Sequence, residues 1–334
     1  MIDLHAHVVL EETLGAAGVW GPFLEEADQR SDGLACYRIG EYELLGVPYR
    51  HTAFMDVDLR LRQMDASDIT MQVLSPNPLT YFHHIESSAA IEFCKLHNNA
   101  LAHLVERHPQ RLAAFAQLPM QSPTAAVDEL HRAVSQLGML GAYVGTDVGR
   151  PLDDPAFDSL YKACTKLNVP LFFHPCPGGI DSPRRDDRLA RFDADLWLGF
   201  AYEESLAVAT LVLGGVLARH GELDVCISHG GGSIGWLAER MAHAAATRSW
   251  AKSQVDSVEA VEASLQRVWW DAHVGGPKAL RALVESFGTS RLVGGTNFAG
   301  WDHTDDPSFG DPELGSTLDT NARRLLRITS TPMR

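Results

Sequence analysis

Four histidines stand where short apolar segments of the sequence end. His5 and His7 close the first segment, and residues at i and i+2 of an extended strand point to the same side. His174 ends a later apolar segment, and His229 ends the next one, just before three glycines. Imidazole nitrogens suit Zn²⁺ and other divalent transition-metal ions. A single histidine of this kind is more often an ordinary buried or surface residue, but four at matched positions predict a metal centre.

The elements that must position these histidines alternate along the chain. Predicted strands cover residues 2–5, 69–75, 112–118, 141–145, 169–174, 223–229, 268–271 and 292–296. Predicted helices cover residues 58–65, 87–108, 123–137, 154–167, 205–220, 233–247, 277–287 and about 318–328. Eight strands that alternate with helices over 334 residues predict an α/β fold, a (β/α)8 TIM barrel. A doubly wound sheet is the alternative, which the number of strands alone does not exclude.

Two segments interrupt this alternation and are too long for ordinary loops. Residues 10–55 follow the first strand, and we interpret them as a small insertion that covers the barrel mouth. Residues 176–200 form another long loop after the fifth strand. We otherwise expect residues 1–334 to form a single barrel domain. Loops at the carboxyl ends of barrel strands are where enzymes of this architecture build their sites.

Composition restricts the partners and the compartment. A formal net charge of -15 argues against nucleic acid and against anionic membrane surfaces as partners. No uninterrupted run of about 18 apolar residues indicates a membrane span, and the first residues do not resemble a signal peptide. The five cysteines are odd in number and scattered, which is typical of reduced thiols. We therefore expect a cytoplasmic protein.

Further motifs accompany the histidines over nearly the whole chain. They are Arg60-Leu61-Arg62-Gln63-Met64-Asp65, Leu96-His97-Asn98-Asn99, Leu118-Pro119-Met120-Gln121, His174-Pro175, Leu213-Gly214-Gly215-Val216 and Ser228-His229-Gly230-Gly231-Gly232. With Asp3-Leu4-His5-Ala6-His7, this combination resembles the amidohydrolase superfamily. Within it, the chain resembles the metal-dependent decarboxylases related to 2-amino-3-carboxymuconate-6-semialdehyde decarboxylase.

The resemblance implies roles for the histidines. His5, His7 and His174 would be metal ligands, and His229 would be the general base that takes a proton from a metal-held water. The absence of a lysine in the fourth predicted strand argues for one metal ion, because dinuclear members of the superfamily often bridge two ions there. We expect a divalent ion, with Zn²⁺ first and Mn²⁺ as the alternative.

The eighth predicted strand departs from the family pattern. The family places an aspartate there as a further ligand, but this chain reads Gly295-Thr296-Asn297. Asn297 offers a carbonyl oxygen without charge and cannot carry a proton in turnover. It is a natural variant that coordinates neutrally, a change that inactivates the site, or an engineered substitution. Asp271 and Asp302 are nearby acids in the sequence, although ordinary barrel-mouth acids are the favoured interpretation.

Two arginines complete the expected site. The resemblance implies that Arg50 and Arg240 bind a substrate carboxylate, one of them from a neighbouring subunit, which predicts a homodimer or a larger homo-oligomer. Surface salt bridges are the alternative interpretation of both arginines. The predicted function is non-oxidative, metal-dependent decarboxylation of a small aromatic or muconate-type carboxylic acid. The alternatives are a metal-dependent hydrolase or hydratase on the same site, and a variant inactivated by Asn297.

Overall fold

Eight parallel strands and their helices form the body of the computed structural model, which describes residues 1–181 and 186–328. In chain order the strands are β1 (Ile2–Val8), β2 (Phe23–Glu25), β3 (Cys36–Ile39), β4 (Tyr42–Leu45), β5 (Met71–Pro76), β6 (Leu112–Ala114), β7 (Ala142–Gly145), β8 (Leu171–His174), β9 (Val225–Ile227), β10 (Trp269–Asp271) and β11 (Leu292–Val293). The barrel consists of β1 and β5 to β11, and each of these strands overlaps a predicted one, with β1 extending three residues further than predicted.

The barrel closes at two junctions. One arc runs β1-β5-β6 and the other runs β7-β8-β9-β10-β11. Parallel bridges join Ala116 to Ala142 and Ala6 to Phe298, and the Leu4 amide donates to the Gly294 carbonyl at 2.9 Å. A doubly wound sheet would leave two open edges. The (β/α)8 barrel prediction is therefore confirmed.

The helices cover most of the predicted helical segments. They are α1 (Val57–Ala66), α2 (Ser87–Arg107), α3 (Pro123–Leu137), α4 (Asp158–Leu167), α5 (Phe200–Leu213), α6 (Val216–Arg219), α7 (Ile234–Thr247), α8 (Val258–Leu265), α9 (Pro277–Phe287) and α10 (Pro312–Leu326). The single helix predicted over 205–220 is wrong in one respect, since α5 and α6 are separated where Gly215 takes a φ of 73°. The short α8 escaped prediction because eight residues give little periodic signal.

A π-helical turn, Asp195–Gly199, leads directly into α5. Together they make one helical stretch, Asp195–Leu213, that is long and apolar enough to cross a membrane by length and composition alone. In this fold 44% of the stretch is buried, and core helices of soluble proteins meet the same criterion. The stretch is therefore weak evidence for a membrane span.

A register shift in β1 aims its histidines inward. The pairing of β1 with β5 shifts between Asp3 and Ala6, an irregularity that re-aims side chains. His5 lies inside this irregular stretch and faces the barrel interior, with its ring 6.2 Å from that of Phe172. Ala6 belongs instead to the core between the barrel and the helices.

The segment after β1 has its own small core. In residues 10–55, β2, β3 and β4 form an antiparallel sheet. Tyr37 and Tyr49 of this segment are buried in one cluster with Phe82 and Phe93, which come from the loop after β5 and from α2. The segment thus packs on the loop that follows β5. That it covers the barrel mouth stays a prediction.

Candidate metal centre

The four predicted histidines meet at the carboxyl ends of β1, β8 and β9. The ring of His5 lies 4.9 Å from that of His7, 4.8 Å from that of His174 and 5.0 Å from that of His229. Nitrogen atoms of His5, His174 and His229 lie within 4.8 Å of one another. The Nε2 atoms of His5 and His7 are 3.1 Å apart. Residues 224 positions apart in the sequence thus form one compact donor cluster.

Backbone carbonyl groups fix the tautomers of two of these rings. The Nδ1 atom of His7 lies 3.1 Å from the Pro76 carbonyl oxygen, and that of His174 lies 2.6 Å from the Pro175 carbonyl oxygen. A carbonyl oxygen only accepts hydrogen bonds, so each Nδ1 carries the proton. Each Nε2 therefore presents a lone pair, which is the arrangement expected of histidine ligands to a metal.

The same pattern at His5 makes the centre fit a cation. Its Nδ1 lies 2.7 Å from Oδ2 of the buried Asp271, which leaves the His5 Nε2 lone pair facing that of His7. Two lone pairs at that separation repel each other unless a positive charge lies between them. In addition, the Nε2 atom of His174 is buried and has no hydrogen-bond partner among the described residues. These orphaned nitrogen atoms are suited to a divalent ion.

The protonation states favour metal binding. Burial lowers the pKa of His5 and of His174 well below the ordinary 6.5, and it lowers the pKa of His7 to about 3. The neighbouring histidines lower the pKa of His5 and His174 further, because a second charge in the cluster would be repelled. The three rings are therefore neutral at pH 7, which is the form that binds a metal.

We expect the metal-free protein to lose stability as the pH falls from 6.5 towards 5. In the unfolded chain His5, His7 and His174 take up protons near their ordinary pKa of 6.5, whereas burial keeps them neutral in the folded chain, His7 down to about pH 3. The unfolded state then binds more protons, so each histidine removes up to ~1.4 kcal/mol of unfolding free energy per pH unit. Urea unfolding of chelator-treated protein at several pH values measures this slope.

A His7→Asn variant is the matched control, and its slope should be shallower by up to ~1.4 kcal/mol per pH unit. His229 does not obscure the comparison. The pKa of His229 is raised to about 9, so its protonation in the folded chain increases the free energy of unfolding. This contribution is constant below about pH 6.5, where the unfolded histidine is also protonated, so it does not change the slope between pH 6.5 and 5. Equal slopes for the two proteins would contradict a neutral, buried His7.

Glu204 is a site residue that the sequence did not reveal. Its fully buried carboxylate accepts from Nδ1 of His229 at 2.6 Å and also from the hydroxyl of Ser228. Burial alone would lower the pKa of His229, but the charge and hydrogen bond of Glu204 outweigh it and raise that pKa to about 9. The only sequence signal was an acid in a mostly apolar helical segment. Glu204 therefore orients the ring and stabilises its charged form.

Asn297 meets a second group of residues on the far side of the centre. Its Nδ2 donates to Oδ1 of Asp302, whose Oδ2 lies 3.0 Å from Nε2 of His273. Ligand atoms of His229, His273 and Asp302 lie within 4.8 Å of one another. Burial raises the pKa of Asp302, but the bond and charge of His273, with smaller effects of His229 and Asn297, lower it to about 2.

Sequence reasoning missed His273, although a signal for it existed. His273 follows Asp271 by two residues at the end of β10, in the same spacing that drew attention to His5 and His7. The Asp271 carboxylate accepts from the His273 amide at 3.0 Å, and burial raises the pKa of Asp271 to about 6. Asp271 therefore orients His5 through its contact with Nδ1 and fixes the loop after β10 through the His273 amide.

Asp3 and Arg60 hold the strands beneath the centre. The buried Asp3 carboxylate accepts from the His5 amide at 3.0 Å, from Gln72 Nε2 at 2.9 Å and from Thr296 Oγ1 at 2.7 Å. Arg60, which is 1% exposed, donates to Gln72 Oε1 at 2.8 Å. These bonds tie β1 to β5 and to the end of β11. Asp3 thus has a supporting role beneath the centre.

The two predicted substrate arginines lie on the surface of the described chain. Arg50 forms ion pairs with Glu11 and with Glu26, the latter at 2.9 Å. Arg240 lies on α7, is exposed, and its side chain has no hydrogen bond or ion pair with another described residue. Neither arginine contacts the histidine cluster within this chain. Their binding of a substrate carboxylate stays a prediction.

The chain is similar to known proteins over most of its length. A family model described as amidohydrolase matches residues 2–328. A 2-amino-3-carboxymuconate-6-semialdehyde decarboxylase of Dictyostelium discoideum is 29% identical over 244 residues, which cover 73% of this chain and 66% of that protein. A gamma-resorcylate decarboxylase of a Rhizobium species is 29% identical over 294 residues, 81% of this chain and 87% of that protein.

A solved structure supports the fold. The crystal structure of a dihydroxybenzoic acid decarboxylase from Polaromonas sp. JS666, with bound manganese and the inhibitor 2-nitroresorcinol, superposes on this chain with a TM-score of 0.75. The two share 21% sequence identity, and the superposition covers 98% of this chain and 97% of the other. At that identity the likeness concerns the barrel architecture.

Proposed function

The chain belongs to the amidohydrolase family, and on that premise we propose that it is a metal-dependent, non-oxidative decarboxylase of an aromatic or muconate-type carboxylic acid. The family match confirms the resemblance predicted from the sequence. The observation that carries the proposal is the cluster of His5, His7, His174 and His229. Nitrogen atoms of these rings converge within the barrel mouth in an arrangement that fits a divalent cation. Named decarboxylases among its relatives support the reaction type.

One divalent ion is proposed for the centre, held by His5, His7 and His174 with position 297 beside them. The absence of a lysine from β7 supports a single ion. The neutral imidazole set suits Zn²⁺, and Mn²⁺ is the alternative, supported by the manganese in the Polaromonas relative. When bound, such an ion would stabilise the negative charge that develops on the substrate as CO₂ departs.

His229 and Glu204 are proposed to manage the proton. In decarboxylation the carbon–carbon bond to the carboxylate breaks, its electron pair stays on the substrate carbon, and that carbon then takes a proton. In the metal-free chain the raised pKa of about 9 keeps the His229 ring protonated at pH 7, and a divalent cation beside the ring would favour its neutral form by repulsion. The neutral ring is proposed to act as general base towards a water in the site, and Glu204 stabilises the resulting imidazolium through its 2.6 Å contact. The protonated ring then gives this proton to the carbon, and the hydroxide left from the water is reprotonated from solvent after CO₂ departs.

The substrate carboxylate is proposed to bind an arginine supplied across a subunit interface. Arg240 is exposed and unpaired within the described chain, and Trp236, one turn earlier on α7, is 90% exposed. An exposed aromatic side chain beside a free guanidinium is typical of a surface that meets a partner. We therefore propose a homodimer or larger homo-oligomer in which Arg240 reaches a neighbouring site. Arg50 would join it by leaving its glutamate partners.

The cytoplasm is the proposed compartment. All five cysteines are free thiols in the structure, and four of them are buried. Unpaired cysteines at this number are typical of a reducing environment.

The test is turnover of a substrate panel by the metal-reconstituted protein. Hydroxybenzoic acids, carboxylated methoxyphenols and muconate-type acids are incubated with the Zn²⁺ or Mn²⁺ form in H₂¹⁸O, and CO₂ and product masses are recorded. We expect chelator-sensitive CO₂ release from at least one acid, with no ¹⁸O in the decarboxylated product. Product that gains water without CO₂ loss would instead establish a hydratase or hydrolase. A protein that binds metal yet turns over none of the panel would favour inactivation at Asn297.

A further inference from the structure

We propose that Asp302 carries the negative charge of the metal centre in this chain, and that Asn297 and His273 are positioning residues that hold it there. This inference rests on the proposed metal centre. It concerns which carboxylate balances the ion, because Asn297 has no charge to offer. The ion in question is a divalent cation, Zn²⁺ or Mn²⁺.

The other buried carboxylates near the described centre already have different tasks. Asp271 faces Nδ1 of His5, on the side of the ring away from the cluster, at 2.7 Å. Glu204 occupies the same outer position on His229, at 2.6 Å. Asp3 accepts several hydrogen bonds beneath β1. Among the described acids, Asp302 is the one that forms, with His229 and His273, a group of three side chains whose ligand atoms all lie within 4.8 Å of one another.

Both oxygen atoms of Asp302 are held by donors. Oδ1 accepts from the amide of Asn297, and Oδ2 lies 3.0 Å from Nε2 of His273. Each carboxylate oxygen has two lone pairs, so these bonds leave capacity for a cation. A carboxylate only accepts, so the Asn297 amide must present its NH₂ group to Asp302, and its carbonyl points elsewhere. Asn297 therefore donates a hydrogen bond to Asp302 and adds no second negative charge beside it.

His273 supplies an independent sign of a missing ligand. Its side chain is 1% exposed, and its Nδ1 has no hydrogen-bond partner among the described residues. Since Nε2 donates to Asp302, Nδ1 has a buried lone pair, which is costly to leave unsatisfied. The His273 ring lies 5.5 Å from that of His229 and 5.7 Å from that of His5. A hydrated cation in the centre would satisfy this atom.

An aspartate at position 297 would conflict with this arrangement. It would place a second carboxylate in direct contact with Asp302, where the asparagine NH₂ group now donates. Two carboxylates in one buried position repel each other, and one of them must bind a proton. Asn297 is therefore a partner to Asp302 rather than a defect. One negative charge at either position 297 or position 302 should therefore support metal binding, whereas carboxylates at both positions should add little affinity.

The experiment compares metal affinity in four variants by titration calorimetry with Zn²⁺ and Mn²⁺, and metal content after gel filtration. They are Asp302→Asn, Asn297→Asp, the double variant Asn297→Asp/Asp302→Asn, and Asp305→Asn. We expect Asp302→Asn to weaken binding by at least ~10- to 100-fold, the range seen when supporting groups of a metal site are removed. The double variant should recover most of that loss, and Asn297→Asp alone should gain less than tenfold, an affinity step of about 1.4 kcal/mol.

Asp305→Asn is the matched control, because it removes the same charge from an exposed acid of the same loop. Circular dichroism and thermal unfolding check each fold, and the double variant keeps the test open if Asp302→Asn fails to fold. Wild-type affinity in Asp302→Asn, or a gain above tenfold in Asn297→Asp, would overturn the inference. A wild-type chain that binds neither ion would overturn the proposed metal centre itself, which separates the two failures.

Discussion

Replacing His174 by alanine is expected to abolish retention of the divalent ion and, with it, metal-dependent CO₂ release. The Nε2 atom of His174 is buried and has no hydrogen-bond partner among the described residues, so its lone pair is available to coordinate an ion. Removing a ligand should cost more than the ~10- to 100-fold in affinity that follows loss of a supporting residue. Metal content after gel filtration and calorimetric titration measure the effect.

His103→Ala is the control for this prediction, because it removes an exposed imidazole on α2, away from the histidine cluster. That variant should bind the ion and release CO₂ as the wild type does. A His174→Ala protein that keeps one tightly bound ion per chain would contradict the assignment of His174 as a ligand. Since the substitution removes a neutral ring from a barrel mouth, thermal unfolding should confirm that both variants fold.

Replacing Glu204 by glutamine is expected to lower kcat by on the order of 10²-fold, within the range of general acid–base effects. Glutamine keeps an acceptor oxygen for Nδ1 of His229 but removes the charge that raises the pKa of this ring to about 9. The limb of the pH–rate profile that reports His229 should therefore move to lower pH. Initial rates over a range of pH, with saturating metal, measure both changes.

The neighbouring acid on the same helix gives the control for Glu204. Glu203→Gln removes an equal charge one residue earlier on α5 and should leave the position of that limb unchanged. A Glu204→Gln profile that falls in height without any displacement would mean that Glu204 serves packing alone. An undiminished rate would remove His229 and Glu204 from the proposed proton transfer.

The architecture and half of the centre were readable from the sequence. Apolar segments of strand length alternate with helical patterns, and this alternation is a local property that a chain expresses residue by residue. His5 and His7 point the same way because a strand repeats every two residues, so their pairing needed no tertiary information. The matched positions of His174 and His229 at strand ends followed once a barrel was assumed, because parallel strands end at one face.

The other half depended on tertiary structure. Glu204 reaches His229 from another element, 25 positions away in the sequence, and His273 reaches Asp302 across 29 positions. These contacts depend on how α5 packs against the end of β9 and on how the loops after β10 and β11 fold, and local sequence patterns do not encode either. The sequence identified the missing acid at position 297, but only the folded chain places an amide there against Asp302. Spacing along the chain determined which residues share a strand face, and barrel closure decided which side chains from different strands touch.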